Sequence, residues 1–185
     1  FKVGIIGFGR IADTHLEAWN SLEHTKVVAV CDNAEASLER AKSLGLAAYS
    51  DVNKLIAGER LDAVSICSPP AFHLPQASAC LEAGVPVLCE KPVGNDLEAA
   101  QNLLSAAARS RTPFQLATKF RHVPEIRKAR DLIMHGVIGD PVTFQVEFAG
   151  AVDMSARWNS RHQLSGGGVL IDNGCHAVDT VRFML

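Results

Sequence analysis

Over the first two-thirds of the chain, short continuous apolar runs alternate with stretches whose apolar residues recur every three or four positions. The runs Lys2–Gly7, Val27–Asp32, Ala63–Cys67, Val85–Cys89 and Phe114–Thr118 are rich in Val and Ile and lack polar/apolar alternation. Strands covered on both faces, as in a parallel sheet, carry that pattern. A shorter, weaker strand is expected near Ala47–Ser50. Helical spacing joins Ala12 with Leu16 and Trp19, Ala34 with Leu38 and Ala41, Leu74 with Ala77 and Leu81, and Leu97 with Ala100 and Leu104. Asn33 and Asp51 are candidate N-caps, the latter for a short helix ending at Gly58. Asn95 with Glu98 three residues on resembles a capping box, and Gly45 and Gly84 are candidate helix stops. Alternating strands and helices predict an α/β fold, a doubly wound parallel sheet with right-handed crossovers.

The pattern changes beyond Arg121. Pro124 to Met134 reads as a helix with Ile126, Ala129 and Ile133 on one face, and Gly139-Asp140-Pro141 as a turn. Val142, Phe144, Val146 and Phe148 then alternate with Thr143, Gln145 and Glu147, which predicts a half-buried strand. A different sheet chemistry predicts a second unit, so the chain divides into segments 1–121 and 122–185, with the boundary near Arg121–Pro124. One alternating strand and two helices do not close a core. The chain also lacks an initiator Met and stops at Leu185 within a helical pattern, so a fragment of a longer protein is expected.

Composition narrows the class. With 48% hydrophobic and 21% charged residues, disorder is excluded. A net charge of −2 speaks against a nucleic-acid or anionic-membrane partner, and no apolar run approaches the ~18 residues of a spanning helix. The five cysteines are odd in number and show no C-x-x-C spacing. They read as buried, reduced thiols of a cytoplasmic protein, and no metal site is expected.

The most informative local motif is Gly7-Phe8-Gly9-Arg10-Ile11-Ala12, which follows the first strand and opens the first helix as G-x-G-x-x-A. Gly7 allows the tight turn, Gly9 a close backbone approach to a pyrophosphate, and Ala12 close helix–strand packing. The helix N-terminus offers free N–H groups to the phosphates. Asp32 ends the second strand, where a carboxylate accepts both ribose hydroxyls of an adenosine and repels a 2′-phosphate. NAD is therefore expected over NADP. A methyltransferase using adenosylmethionine is an alternative owner of such a turn and acid.

Three further motifs converge with this one. They are Cys67-Ser68-Pro69-Pro70-Ala71-Phe72-His73, Glu90-Lys91-Pro92, and Gly166-Gly167-Gly168-Val169-Leu170-Ile171-Asp172-Asn173-Gly174-Cys175-His176-Ala177-Val178-Asp179. Over its whole length the chain resembles the family of glucose–fructose oxidoreductase, inositol dehydrogenase and the rhizopine-catabolism protein MocA. The resemblance implies a Rossmann domain followed by a domain on a large open mixed sheet, here incomplete. It implies an oxidoreductase moving a hydride between NAD and a carbinol of a sugar, cyclitol or related polyol, homo-oligomeric at full length.

The resemblance also implies roles. His176 is the expected general acid/base, Lys91 polarises the substrate oxygen, and Asp172 orients His176 or anchors a substrate hydroxyl; in some relatives the lysine is credited with the proton instead. Asp172 and His176 stand at i and i+4, so a continuous helix would project both from one face, with Asp179 at i+7. Gly7, Phe8, Gly9, Arg10, Ile11, Asp32, Ser68, His73, Glu90 and Lys91 are expected around the cofactor, and Arg121, Arg157 and Trp158 around the substrate. Pro70 stands where many relatives carry Asn, and Lys119 departs from their Asn-x-Arg. Two other readings stay open: a glycoside hydrolase of the same family that oxidises, eliminates and reduces, and a non-catalytic dinucleotide-binding protein.

Overall fold

In the computed structural model, which describes residues 1–151, 153–155 and 157–185, the expected sheet is present. Its strands are β1 (Lys2–Ile6), β2 (Lys26–Cys31), β3 (Ala47–Tyr49), β4 (Ala63–Ile66), β5 (Val87–Cys89) and β6 (Phe114–Leu116). They lie in the order β3-β2-β1-β4-β5-β6, and every neighbouring pair is parallel. The chain grows outward from β1 to β3, then returns to the other side of β1 for β4. Loops from both halves therefore part at the carboxyl ends of β1 and β4, where open α/β sheets bind ligands.

Helices α1 (Arg10–Asn20), α2 (Glu35–Ser43), α3 (Val52–Gly58), α4 (His73–Glu82) and α5 (Leu97–Ser110) connect these strands. They cover the two faces, so the apolar runs are buried on both sides. One core gathers Ile6, Leu55, Val64, Ile66, Leu81 and Leu103; the other gathers Val3, Ile5, Phe8, Val27 and Val30. Gly45 and Gly84 adopt positive φ just past α2 and α4, as expected of helix stops. The thiols of Cys31, Cys67, Cys80 and Cys89 are buried, and desolvation pushes all four up, Cys31 to about 11 and Cys80 to about 12.

Two cap expectations need correcting. Asn33 does not cap α2; Ala34 holds that position, and its N–H donates to Asp32 Oδ1 at 2.8 Å. Asn95 does not cap α5; Asp96, immediately before the helix, accepts from the Ala99 N–H at 2.7 Å. Asp51 does cap α3, accepting from the Lys54 N–H at 3.0 Å.

Beyond β6 the chain makes a 3-10 turn at Lys119–His122 and then α6 (Pro124–Met134), with Pro124 at its first position. Three further helices follow: α7 (His162–Ser165), α8 (Val169–Asp172) and α9 (Gly174–Met184). The expected strand over Val142–Phe148 is not formed. The alternation is there, but no strand among the described residues pairs with it, and Val142 is 96% exposed. A half-apolar strand is stable only when its backbone groups find a ladder partner. No helix among the described residues is long and apolar enough to cross a membrane.

The caps give a direct test. We expect Asp96→Ala to cost about 1 kcal/mol of stability by urea denaturation, and Asn95→Ala clearly less. The reverse order would return the cap to Asn95.

Candidate active site

The turn between β1 and α1 is pinned from several sides. Gly7 has φ +84°, and a Cβ there would lie 2.5 Å from the Ser68 backbone nitrogen. Glycine is thus required both for the turn and for the direct seating of this turn on the loop after β4. The Phe8 N–H donates to Asp32 Oδ2 at 2.6 Å. The Phe8 ring is buried beneath the Arg40 guanidinium, which also donates to the Phe8 carbonyl and to Asp13. Phe8 therefore keeps its ring in the core.

Gly9 is the N-cap of α1, with no side-chain cap among the described residues. A Cβ built on Gly9 meets nothing within 4 Å among them, so space lies open above the helix N-terminus. Ala12, one turn in, is fully buried against the sheet. Exposed Arg10 and Ile11 flank this opening. Beside it is a cleft of about 330 Å³ lined by Gly7, Asp32, Asn53, Ser68, Phe72 and Gln76. An open helix N-terminus over a Gly-rich turn, next to a cleft with a carboxylate, fits a dinucleotide.

His73 takes a different part from the one expected. It is 0% exposed, so it cannot touch a cofactor. Its Nδ1 lies 2.9 Å from the Pro92 carbonyl and its Nε2 2.9 Å from the Ser68 carbonyl. The ring thus ties the loop after β4 to the loop after β5. Burial holds it below the usual histidine range, against the pull of those carbonyls. Ser68 lines the cleft, and its hydroxyl donates to Gln76 Oε1.

Lys91 and Asp172 come together as a partly buried pair. Lys91 Nζ donates to Asp172 Oδ1 at 2.6 Å and to the Asp172 carbonyl at 2.9 Å. Asn159 Nδ2 donates to the other carboxylate oxygen at 3.3 Å. The helix carrying Asp172 and His176 is not continuous: α8 ends at Asp172, Asn173 intervenes, and His176 belongs to α9. His176 is buried between Phe120, whose ring meets it edge-on at 5.0 Å, and Phe148. Desolvation lowers its affinity for a proton, and the positive charges of Lys91 and Lys119 lower it further, outweighing Glu90 and Asp172. Both effects favour the neutral imidazole, the state a proton acceptor needs.

The remaining residues separate. The Glu90 carboxylate turns to His15 and to its neighbour's backbone N–H. Arg121 is paired with Asp179, its Nε donating at 2.8 Å. Arg157 lines a second cleft of about 750 Å³ with Glu147, Met154, Asn159, Asp172 and Asn173. Trp158 opens the 3-10 turn at Trp158–Ser160. Asn159, Phe120, Phe148 and His15 were not foreseen; Asn159 follows Trp158 directly, but none carries a motif of its own. Gly166 seals the junction: its φ is +77°, and a Cβ there would fall 1.7 Å from the Asn95 carbonyl oxygen.

Fold and site together define a dinucleotide-binding protein of the doubly wound class. Residues 1–118 match the oxidoreductase family with an NAD-binding Rossmann fold, and residues 126–185 match the GFO/IDH/MocA C-terminal domain. The chain belongs to the Gfo/Idh/MocA oxidoreductase family. It is 29% identical over 184 residues to the rhizopine catabolism protein MocA of Rhizobium meliloti, covering 100% of this chain and 57% of that protein. An NAD-binding protein from Listeria innocua superposes with a TM-score of 0.90 at 26% identity, over 100% of this chain and 55% of its own. Scyllo-inositol dehydrogenase from Lactobacillus casei, solved with NAD(H) and scyllo-inositol, gives a TM-score of 0.82 at 29% identity, over 99% and 55%. The chain spans about half the length of the curated relatives it matches.

Both buried imidazoles make a pH prediction. Their folded-state affinities lie below the ordinary value of 6.5, so the unfolded chain binds more protons just below that pH. Their contribution to stability is complete above pH 6.5 and is lost as pH falls through the lower folded values. The ring C–H resonances of His73 and His176 should titrate below 6.5 by NMR, each assigned by a Gln variant. A midpoint at or above 6.5 for either ring would contradict the burial argument.

Proposed function

We propose that this chain carries the cofactor site and catalytic residues of an NAD-dependent oxidoreductase acting on a carbinol of a sugar, cyclitol or related polyol. What supports this reading is the Lys91–Asp172 pair beside the carboxyl end of β5, whose charges are close enough to act on the proton affinity of His176. The nicotinamide, when bound, supplies the hydride acceptor. Lys91 is an ammonium donor already held by an acceptor, so a substrate oxygen can share it as charge develops. His176 takes the hydroxyl proton, and Asp172, braced by Asn159, holds Lys91 in place. The second cleft, with Asn159, Asn173, Glu147 and Arg157 on its wall, offers the donors and acceptors a polyol needs.

The cofactor preference follows from Asp32. Its carboxylate stands at the end of β2, facing the first cleft. It attracts the two ribose hydroxyls and repels a 2′-phosphate, which supports NAD over NADP.

Two measurements test the reading. Titration of the chain with NADH and NADPH, followed by nicotinamide fluorescence, should favour NADH, and Asp32→Ala should weaken NADH by at least about tenfold, the loss of one charge-assisted hydrogen bond. On the full-length protein, Lys91→Ala should lower kcat on scyllo-inositol or another polyol of a panel by about 10²-fold or more. Equal binding of NADPH would overturn the cofactor assignment, and undiminished turnover would remove Lys91 from the chemistry.

A further inference from the structure

Beneath the site lies a buried polar chain that the proposed reaction does not use. It runs from Trp19 and His15 on α1, through Ser65 on β4, to Glu90 at the end of β5. Ser65 is 0% exposed, and the side chains of His15 and Glu90 are 11% and 16% exposed. The contacts have a direction. An indole N–H can only donate, and Trp19 Nε1 donates to Ser65 Oγ at 2.7 Å. Ser65 Oγ keeps its proton and a second lone pair for His15 Nδ1, 3.2 Å away. His15 Nε2 lies 3.1 Å from Glu90 Oε1, and an ionised carboxylate oxygen only accepts, so a ring proton sits on Nε2 and is donated to it. The other oxygen, Oε2, accepts the Lys91 backbone N–H at 3.1 Å.

Burial works to raise the Glu90 carboxyl. The hydrogen bonds from His15 and the Lys91 backbone N–H, with the charge of Lys91, outweigh burial and hold the group below the usual carboxylate range. A carboxylate this enclosed depends on each of its donors. Without His15, Oε1 loses its partner, and the side chain that accepts the Lys91 backbone N–H is no longer held, which loosens the strand end from which Lys91 reaches Asp172.

We propose that His15 is a positioning residue whose hydrogen bond to Glu90 fixes the strand end from which Lys91 reaches Asp172. This rests on the reading of Lys91 as a catalytic residue, but its test needs neither substrate nor turnover.

The test is trace acetylation of the full-length protein with acetic anhydride at about pH 8, where amine reactivity reports how firmly each ammonium is paired. Peptide mass spectrometry compares Lys91 with Lys128, an exposed residue of α6. In His15→Ala the labelling of Lys91 relative to Lys128 should rise about fivefold, the weight of a pair worth about 1 kcal/mol. Glu90→Gln, nearly isosteric, should do the same and carries the test if His15→Ala does not fold. His15→Gln, whose amide can still donate toward Glu90, should restore the wild-type ratio. An unchanged ratio in both His15→Ala and Glu90→Gln, or no restoration in His15→Gln, overturns the proposal. Failure of the full-length protein to oxidise any polyol would strike the functional reading alone and leave this result standing.

Discussion

The ion pair between Lys91 and Asp172 is the contact on which the site depends. It joins residues 81 apart in sequence. Lys91 leaves β5, whose backbone is held by strands on both sides. Asp172 ends a four-residue helix that has little internal stability of its own. A partly buried pair must recover the desolvation of both charges, and it does so only when the remaining donors and acceptors are met. Here the ammonium also reaches the Asp172 carbonyl, and Asn159 meets the second carboxylate oxygen. The close approach of Gly166 to the Asn95 carbonyl is a second attachment between the same two regions. One contact is electrostatic and the other steric, and together they bring residues 157–185 against the loop after β5.

The parallel sheet was readable because its strands are buried on both faces, so each shows as an unbroken apolar run. The turn at Gly7 was readable because positive φ and close backbone approach both demand glycine there. The misreadings have equally physical causes. At Asn95–Asp96 both side chains can cap, and the geometry selects the one directly before the first helical residue. Over Val142–Phe148 the alternation records which face a strand would bury, but not whether a partner strand is at hand. Between Asp172 and His176 the i, i+4 spacing held while the helix did not, because Asn173 separates two short helices.

The histidines show the same limit at the level of the site. His176 stood out through its motif. His73 stood out for its motif too, but its work is internal: its two ring nitrogens face carbonyls on neighbouring loops. His15 carried no signal, because its partners Ser65 and Glu90 lie 50 and 75 residues away. In a parallel sheet, residues far apart in the chain meet at the strand ends as a matter of course. Local spacing has no view of such meetings. The candidate residues closest to the chemistry were thus legible as motifs, while those supporting them became visible only in three dimensions.

Asp32 uses each carboxylate oxygen once within the protein, on the N–H of Phe8 and on the N–H of Ala34. Each oxygen keeps a second lone pair for a ligand. The carboxylate is thus fixed by the protein alone, and in the role proposed for it a hydroxyl meeting it need not first order a mobile side chain. The same economy has an evolutionary side. Any lineage that exchanged this acid to admit a phosphorylated ribose would also strip a partner from the Gly-rich turn and from the start of α2. On the role proposed for Asp32, cofactor choice is tied to local folding, and a change of preference calls for compensating changes in two separate loops.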